Sequence, residues 1–273
     1  MIKSFFTGLM VIGTLGGRAQ KVADTMAIIR DFDNVMEFAV QPYVHFTAKV
    51  ILSNGPMLPP GDTGRVMHAE FYKLRDDLYY GIEAQEVYLQ DSLMVRVDHE
   101  HRMIQIDRVD VATKKNLDVL PLKRKDKDKL FRNRYSASRV AGRGDTTEIR
   151  FASAPAARYP GSRALAVRVV YSRNAHLPLL MEITTTVWEP ESEEATAGLR
   201  SNGFNVQQMK QETGGVRGLV MSQTAAMQFG SVQLTEQSAG AMPLWTRRLA
   251  YDPVSGEFSA IGVCDGYRVM KAF

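Results

Sequence analysis

The residues best able to do chemistry stand together at Asp98-His99-Glu100-His101. In an extended strand, residues two apart share a side, so His99 and His101 would point the same way and could hold one metal ion between them. Nothing else is spaced to complete such a site, since His45 and His68 could join only through folding. Four polar residues between Val97 and Arg102 are more simply a hairpin turn, so no metal ligand is assigned. Motifs that need fixed spacing are missing as well. There is no glycine-framed serine of the hydrolase kind, no phosphate-cradling loop ending in Lys-Ser or Lys-Thr, no cysteine pair and no His-Glu-x-x-His. Gly142-Arg143-Gly144 does not continue into a dinucleotide fingerprint, and Arg143-Gly144-Asp145, though it spells an adhesion tripeptide, reads as a turn between two strands. Cys264 is the single cysteine, which excludes an intrachain disulfide, and its neighbour Asp265 would not activate it. The expectation is a noncatalytic protein without metal or cofactor.

Such a protein must be read from its elements. Of 273 residues, 45% are hydrophobic and 23% charged, which suits a sizeable core and excludes a disordered chain. No apolar run approaches the roughly 18 to 20 residues of a membrane-spanning helix. At the start, Lys3 supplies a charge, Phe5 to Leu15 an apolar stretch, and Gly17-Arg18-Ala19 a small-residue junction, the layout of a signal peptide over residues 1–19. Gly8, Gly13, Gly16 and Gly17 oppose a stable helix there. The expected location is therefore the periplasm or another exported compartment of the bacterial envelope, with the mature chain beginning at Gln20 and no cysteine nearby to carry a lipid.

Removing Lys3 and Arg18 leaves 32 basic residues against 30 acidic ones, so overall charge predicts no partner. Its distribution is more informative. Lys114 to Arg134 holds nine basic and three acidic residues, with Lys123, Arg124, Lys125, Lys127 and Lys129 at its centre. That run suits an anionic membrane surface or another polyanion, or a solvated connection. Nucleic acid is not expected as a partner, because only Phe131 and Tyr135 are at hand for base stacking.

Val22, Met26, Ile29, Phe32 and Met36 recur at helical spacing and predict an amphipathic N-terminal helix. From Tyr43 the period shifts to two. Segments 43–53, 65–74, 78–89, 93–97 and 102–108, divided by short polar turns, predict an antiparallel meander. Leu93, Val95 and Val97 share one face, as do Ile104 and Ile106, giving the sheet a greasy side. Further strands are expected at 135–140, 146–152, 164–172 and 179–188, and again at 245–251, 257–263 and 267–272, the last three joined by the turns Asp252-Pro253-Val254-Ser255-Gly256 and Asp265-Gly266. Glu189 to Gly198, acidic and nearly free of apolar side chains, reads as an exposed linker, and residues 199–235, broken by Gly214, Gly215, Gly218 and Gly230, give no regular pattern.

Tyr79-Tyr80 through Val87, then Gln90-Asp91-Ser92-Leu93-Met94-Val95-Arg96-Val97-Asp98, then Arg102-Met103-Ile104-Gln105-Ile106 resembles the periplasmic lipoprotein-carrier family of LolA-like and LolB-like proteins. The resemblance covers roughly residues 20–190 and rests on pattern. It implies an unclosed antiparallel barrel around an apolar cavity, lidded by helices, with acyl chains inside. The chain departs from the small carriers by the basic run before Tyr135 and by everything after Gly198.

The expected architecture is therefore mainly β, within an α+β class: a curved antiparallel sheet or unclosed β-barrel, an N-terminal amphipathic helix, and a β-rich C-terminal extension from residue 191. The expected activity is binding of a lipid, an acylated protein or another hydrophobic ligand. Met26, Ile29, Met36, Met67, Leu93, Val95, Val97, Ile104 and Ile106 are the candidate lining, and the fourteen methionines, Met94 and Met103 among them, suit an adaptable one. The alternative is a structural or adaptor subunit of an envelope assembly, whose cavity is filled by its own side chains and which meets a protein partner.

Overall fold

A computed structural model describes residues 25–53, 64–110, 135–153, 162–213, 216–235 and 242–272. The chain is mainly β, an open antiparallel sheet accompanied by a few helices. Among the described residues no helix is long and apolar enough to cross a membrane. Two compact units interleave in the sequence. One holds the described residues up to Met36 together with Tyr135 to Gln223; the other holds Glu37 to Ser53, residues 64–110 and everything from Thr224.

In the first unit a helix, α1, covers residues 25–36. Ile28, Ile29, Phe32, Val35 and Met36 are buried along it, a stripe wider than the sequence pattern indicated. Phe32 meets Phe151 edge to face at 5.3 Å, and burying an aromatic ring of this size stabilises by about 2–3 kcal/mol. The strands here are β7 (Tyr135–Ala141), β8 (Thr146–Ser153), β9 (Ser162–Ser172) and β10 (Pro178–Pro190), paired in that order as antiparallel neighbours. Residues expected to be a linker instead finish β10 and begin α2 (Glu193–Ser201). The reason is local: the Ser192 side chain caps the helix by accepting from the Ala195 amide, and Glu193 and Glu194 face its positive end. A four-residue helix, α3 (Val206–Met209), and β11 (Lys210–Thr213) follow.

The segment that showed no pattern contains the longest strand, β12 (Val216–Gln233). Its glycines disguise it. A side chain at Gly218 would strike the Trp188 ring at 2.3 Å, so only glycine lets the strand pass that indole.

The second unit holds β1 (Tyr43–Ser53), β2 (Arg65–Leu74), β3 (Asp77–Ile82), β4 (Gln85–Gln90), β5 (Leu93–Asp98) and β6 (Met103–Arg108), each antiparallel to the next. The stretch 78–89, expected as one strand, is two. Glu83 takes a left-handed φ of 51° in a two-residue turn that carries no Gly, Pro or Asn to announce it. On the far side of β1, residues Thr224–Gln233 of β12 pair antiparallel with it. Past residue 242 come a 3₁₀ turn (Trp245–Arg247), the hairpin β13 (Leu249–Asp252) and β14 (Glu257–Ala260), a second 3₁₀ turn (Gly262–Cys264), and β15 (Arg268–Lys271), which is parallel to β6. Two of the strands expected here are thus shortened by 3₁₀ turns.

Candidate functional site

The register of β1 to β6 assigns every side chain to one of two faces. Tyr72, Tyr79, Tyr88, Val95, Val97, Ile104 and Ile106 share one. Residues 242–269 cover this face: Met242, Leu249 and Cys264 are buried on it, and Trp245, Phe258, Tyr267 and Val269 pack beside them. Val95, Val97, Ile104 and Ile106 are at most 1% exposed. Leu93 is half-buried in the same cluster. The greasy side read from the sequence is therefore real, but the chain's own later residues pack over it, so Val95, Val97, Ile104 and Ile106 are core and Leu93 packs against them.

The covering segment is fastened by polar groups. The Gln90 side chain, 3% exposed, donates to the Pro243 carbonyl at 2.9 Å and accepts from the Trp245 amide at 3.1 Å. Arg248 holds the Glu86 carboxylate, to which the Tyr88 hydroxyl donates at 2.7 Å. Burial pushes the Glu86 carboxyl up, but the bonds from Arg248 and Tyr88 outweigh it and leave the group below its ordinary value. His99 lies 3.5 Å from Glu86 and 3.1 Å from the Tyr267 hydroxyl, whereas His101 turns to Asp98 at 2.9 Å. The two histidines thus part, and each serves a local bond. Burial raises the Cys264 thiol pKa, so it is a packing residue. In the tripeptide 143–145 the Asp145 carboxylate accepts from Ser172 at 2.5 Å and from the Asn174 amide at 3.1 Å, tying down the turn.

The opposite face carries the candidate site. Phe46 and Phe71 are cross-strand partners stacked at 5.0 Å, and Phe38 and Phe229 close around Phe46 at 5.9 and 5.4 Å. Next to this aromatic end, Ala69, Leu78, Tyr80, Ile82, Val87, Leu89, Met94 and Met227 line a mostly apolar groove of about 350 Å³, which Glu70 also borders while its carboxylate is bonded to His45 and Tyr72 on the other face. That size is at the lower end of small-molecule sites. Tyr80 is 42% exposed although it stands among apolar neighbours, and Ile82, Leu78 and Met94 are only half-buried. Met67 is on this face, in line with Val50 and Met227. Of the methionines expected near the cavity, Met94 is among the lining residues.

Met26, Ile29 and Met36 belong to α1 in the first unit, Ile29 and Met36 buried and Met26 half-buried. Lys123, Arg124, Lys125, Lys127 and Lys129, and the expected signal peptide, lie outside the described residues. The groove residues were legible as a period-two set of opposite parity, Leu78, Tyr80 and Ile82 on β3 and Val87 and Leu89 on β4. The sequence held no sign of which parity residues 242–269 would cover.

A second, wider depression of about 760 Å³ on the covered side of the sheet is polar, with Thr47, Lys49, His68, Glu70, Glu83 and Gln228 around Gly81 and Gly230. His45 lies flat on Tyr72 at 3.9 Å and bridges Glu70 and Gln233 at 3.0 Å each. Burial and the bond to Glu70 push the Tyr72 hydroxyl up to about 12. Tyr79 leans over Gly81, so that glycine makes room for the chain's own phenol.

The sequence matches no protein-family model and no curated relative. Two solved structures are similar in outline. A DUF1329 family protein from Desulfovibrio piger aligns over 84% of this chain and 99% of its own, with a TM-score of 0.29 and 9% identity. A LolA superfamily protein from Nitrosomonas europaea aligns over 75% of this chain and 93% of its own, with a TM-score of 0.28 and 9% identity. At that distance, the case for a binding site rests on the strand register and the groove itself.

Proposed function

We propose that this chain is an exported envelope protein that binds a hydrophobic ligand, a lipid or the acyl chain of an acylated protein, noncatalytically in the groove on β1 to β5. One observation carries the reading: an apolar hollow, floored by buried Phe71, Val87 and Leu89 and rimmed by half-buried Leu78, Ile82 and Met94 and exposed Tyr80, lies on the face of the sheet opposite residues 242–269. Each methylene laid into it gains about 0.8 kcal/mol, and methionines at both ends let the lining follow an irregular guest. The basic run around Lys123 to Lys129 would bring such a protein to an anionic membrane surface.

The filled opposite face favours a second reading, an adaptor subunit whose sheet is a scaffold for a protein partner. Native mass spectrometry of the purified chain separates the two. Copurifying lipid, reduced in Ile82→Asp with folding intact, supports the binding reading. A chain that carries no lipid and takes up no dodecanol leaves the adaptor.

A further inference from the structure

We infer that the groove selects an amphiphile with a carboxylate head, a long-chain fatty acid, and that Arg96 is the residue that holds the head. This rests on the groove being the binding site. Arg96 pairs with Val87 across β4 and β5 and stands two residues from Met94, so its side chain is on the groove's face, beside two residues that line it. Its Nη1 meets Asp107 Oδ2 at 3.3 Å, and Asp107 is steadied by the Gln105 amide at 3.2 and 3.3 Å. Its Nη2 points instead at the Met94 sulfur, 3.5 Å away. A thioether is a poor acceptor for a guanidinium donor. The side chain is 47% exposed, so a fork-shaped donor pair stands at the edge of the apolar floor with one arm on a weak partner.

A carboxylate replacing the sulfur would accept from Nη2 in a charge-assisted bond while its chain ran over Met94 and Leu89 toward Phe46. Asp107 has two opposed effects. It fixes the guanidinium and, being anionic, repels a second carboxylate, which weighs against a head carrying two charges. The small volume of the hollow suits one chain better than two.

Calorimetric titration at about pH 7, where a carboxylic acid is ionised, compares dodecanoate, dodecanol and dodecyltrimethylammonium. Dodecanoate should bind about tenfold more tightly than dodecanol, and the ammonium more weakly than either. Arg96→Gln should abolish the preference by weakening dodecanoate far more than dodecanol, Arg96→Lys should keep part of it, and Asp107→Asn should strengthen dodecanoate binding. Equal affinities for acid and alcohol, or a preference that survives Arg96→Gln, overturn the inference while leaving hydrophobic binding in place. If none of the three binds, or if Ile82→Asp weakens none of them, the groove itself is wrong and both readings fall.

Discussion

Arg248 grips Glu86 through two parallel hydrogen bonds of 2.8 Å, Nε to one carboxylate oxygen and Nη2 to the other. The two residues stand far apart in sequence, and their pairing clamps the segment beyond residue 242 onto β4. It is a paired charge in a mostly buried place, where losing one partner strands the other.

Replacing Arg248 with Met should therefore cost about 2 kcal/mol of stability, read as a lower urea midpoint, because Glu86 is left without its cation. The same variant should loosen the cover over Cys264. Thiol labelling, slow in the native chain because Cys264 is fully buried, should accelerate by at least about tenfold. Labelling at the native rate would mean that the clamp does not hold the segment down.

Gly218→Ala should destabilise by about 2 kcal/mol, because its new methyl would overlap the 6%-exposed Trp188 ring. Gly144→Ala is the comparison. Nothing lies within 4 Å there, but the backbone has a φ of 62°, so only the left-handed strain of about 1 kcal/mol should appear. Thermal denaturation of both variants orders them, and equal losses would refute the packing argument.

Stability should fall at both ends of the pH scale for opposite reasons. Glu86 titrates below its ordinary 4.5, so its contribution is present above that value and lost as pH falls through the lower folded value. Tyr79 is pushed up to about 12, by burial first and by the negative charge of Glu86 next. Its contribution is full below pH 10 and lost as pH rises toward 12. Urea unfolding across pH should show both limbs, and Glu86→Gln should flatten the acid one. An acid limb of unchanged slope in that variant would remove Glu86 as its source.

Much of this architecture is written locally. The period of two in β1, β2, β5 and β6 gave those strands nearly to the residue, and the spacing of Ile29, Phe32 and Met36 gave α1. Both signals are intrinsic to backbone geometry, since a strand alternates its side chains and a helix repeats them every three or four residues. β12 escaped because Gly218 and Gly230, which look like breakers, answer to neighbours elsewhere in the chain, Trp188 and Thr47. α2 escaped because an acidic run resembles a linker until its serine cap is recognised.

By itself the sequence determined that the sheet would be amphipathic and which parity each side chain takes. Only the tertiary structure decided which face would be closed. Residues 242–269 must return over a long stretch of chain to cover Val95, Val97, Ile104 and Ile106, and no local pattern encodes where such a segment lands. That placement makes core of Val95, Val97, Ile104 and Ile106, and leaves the groove beside Tyr80, Ile82 and Met94 on the opposite face.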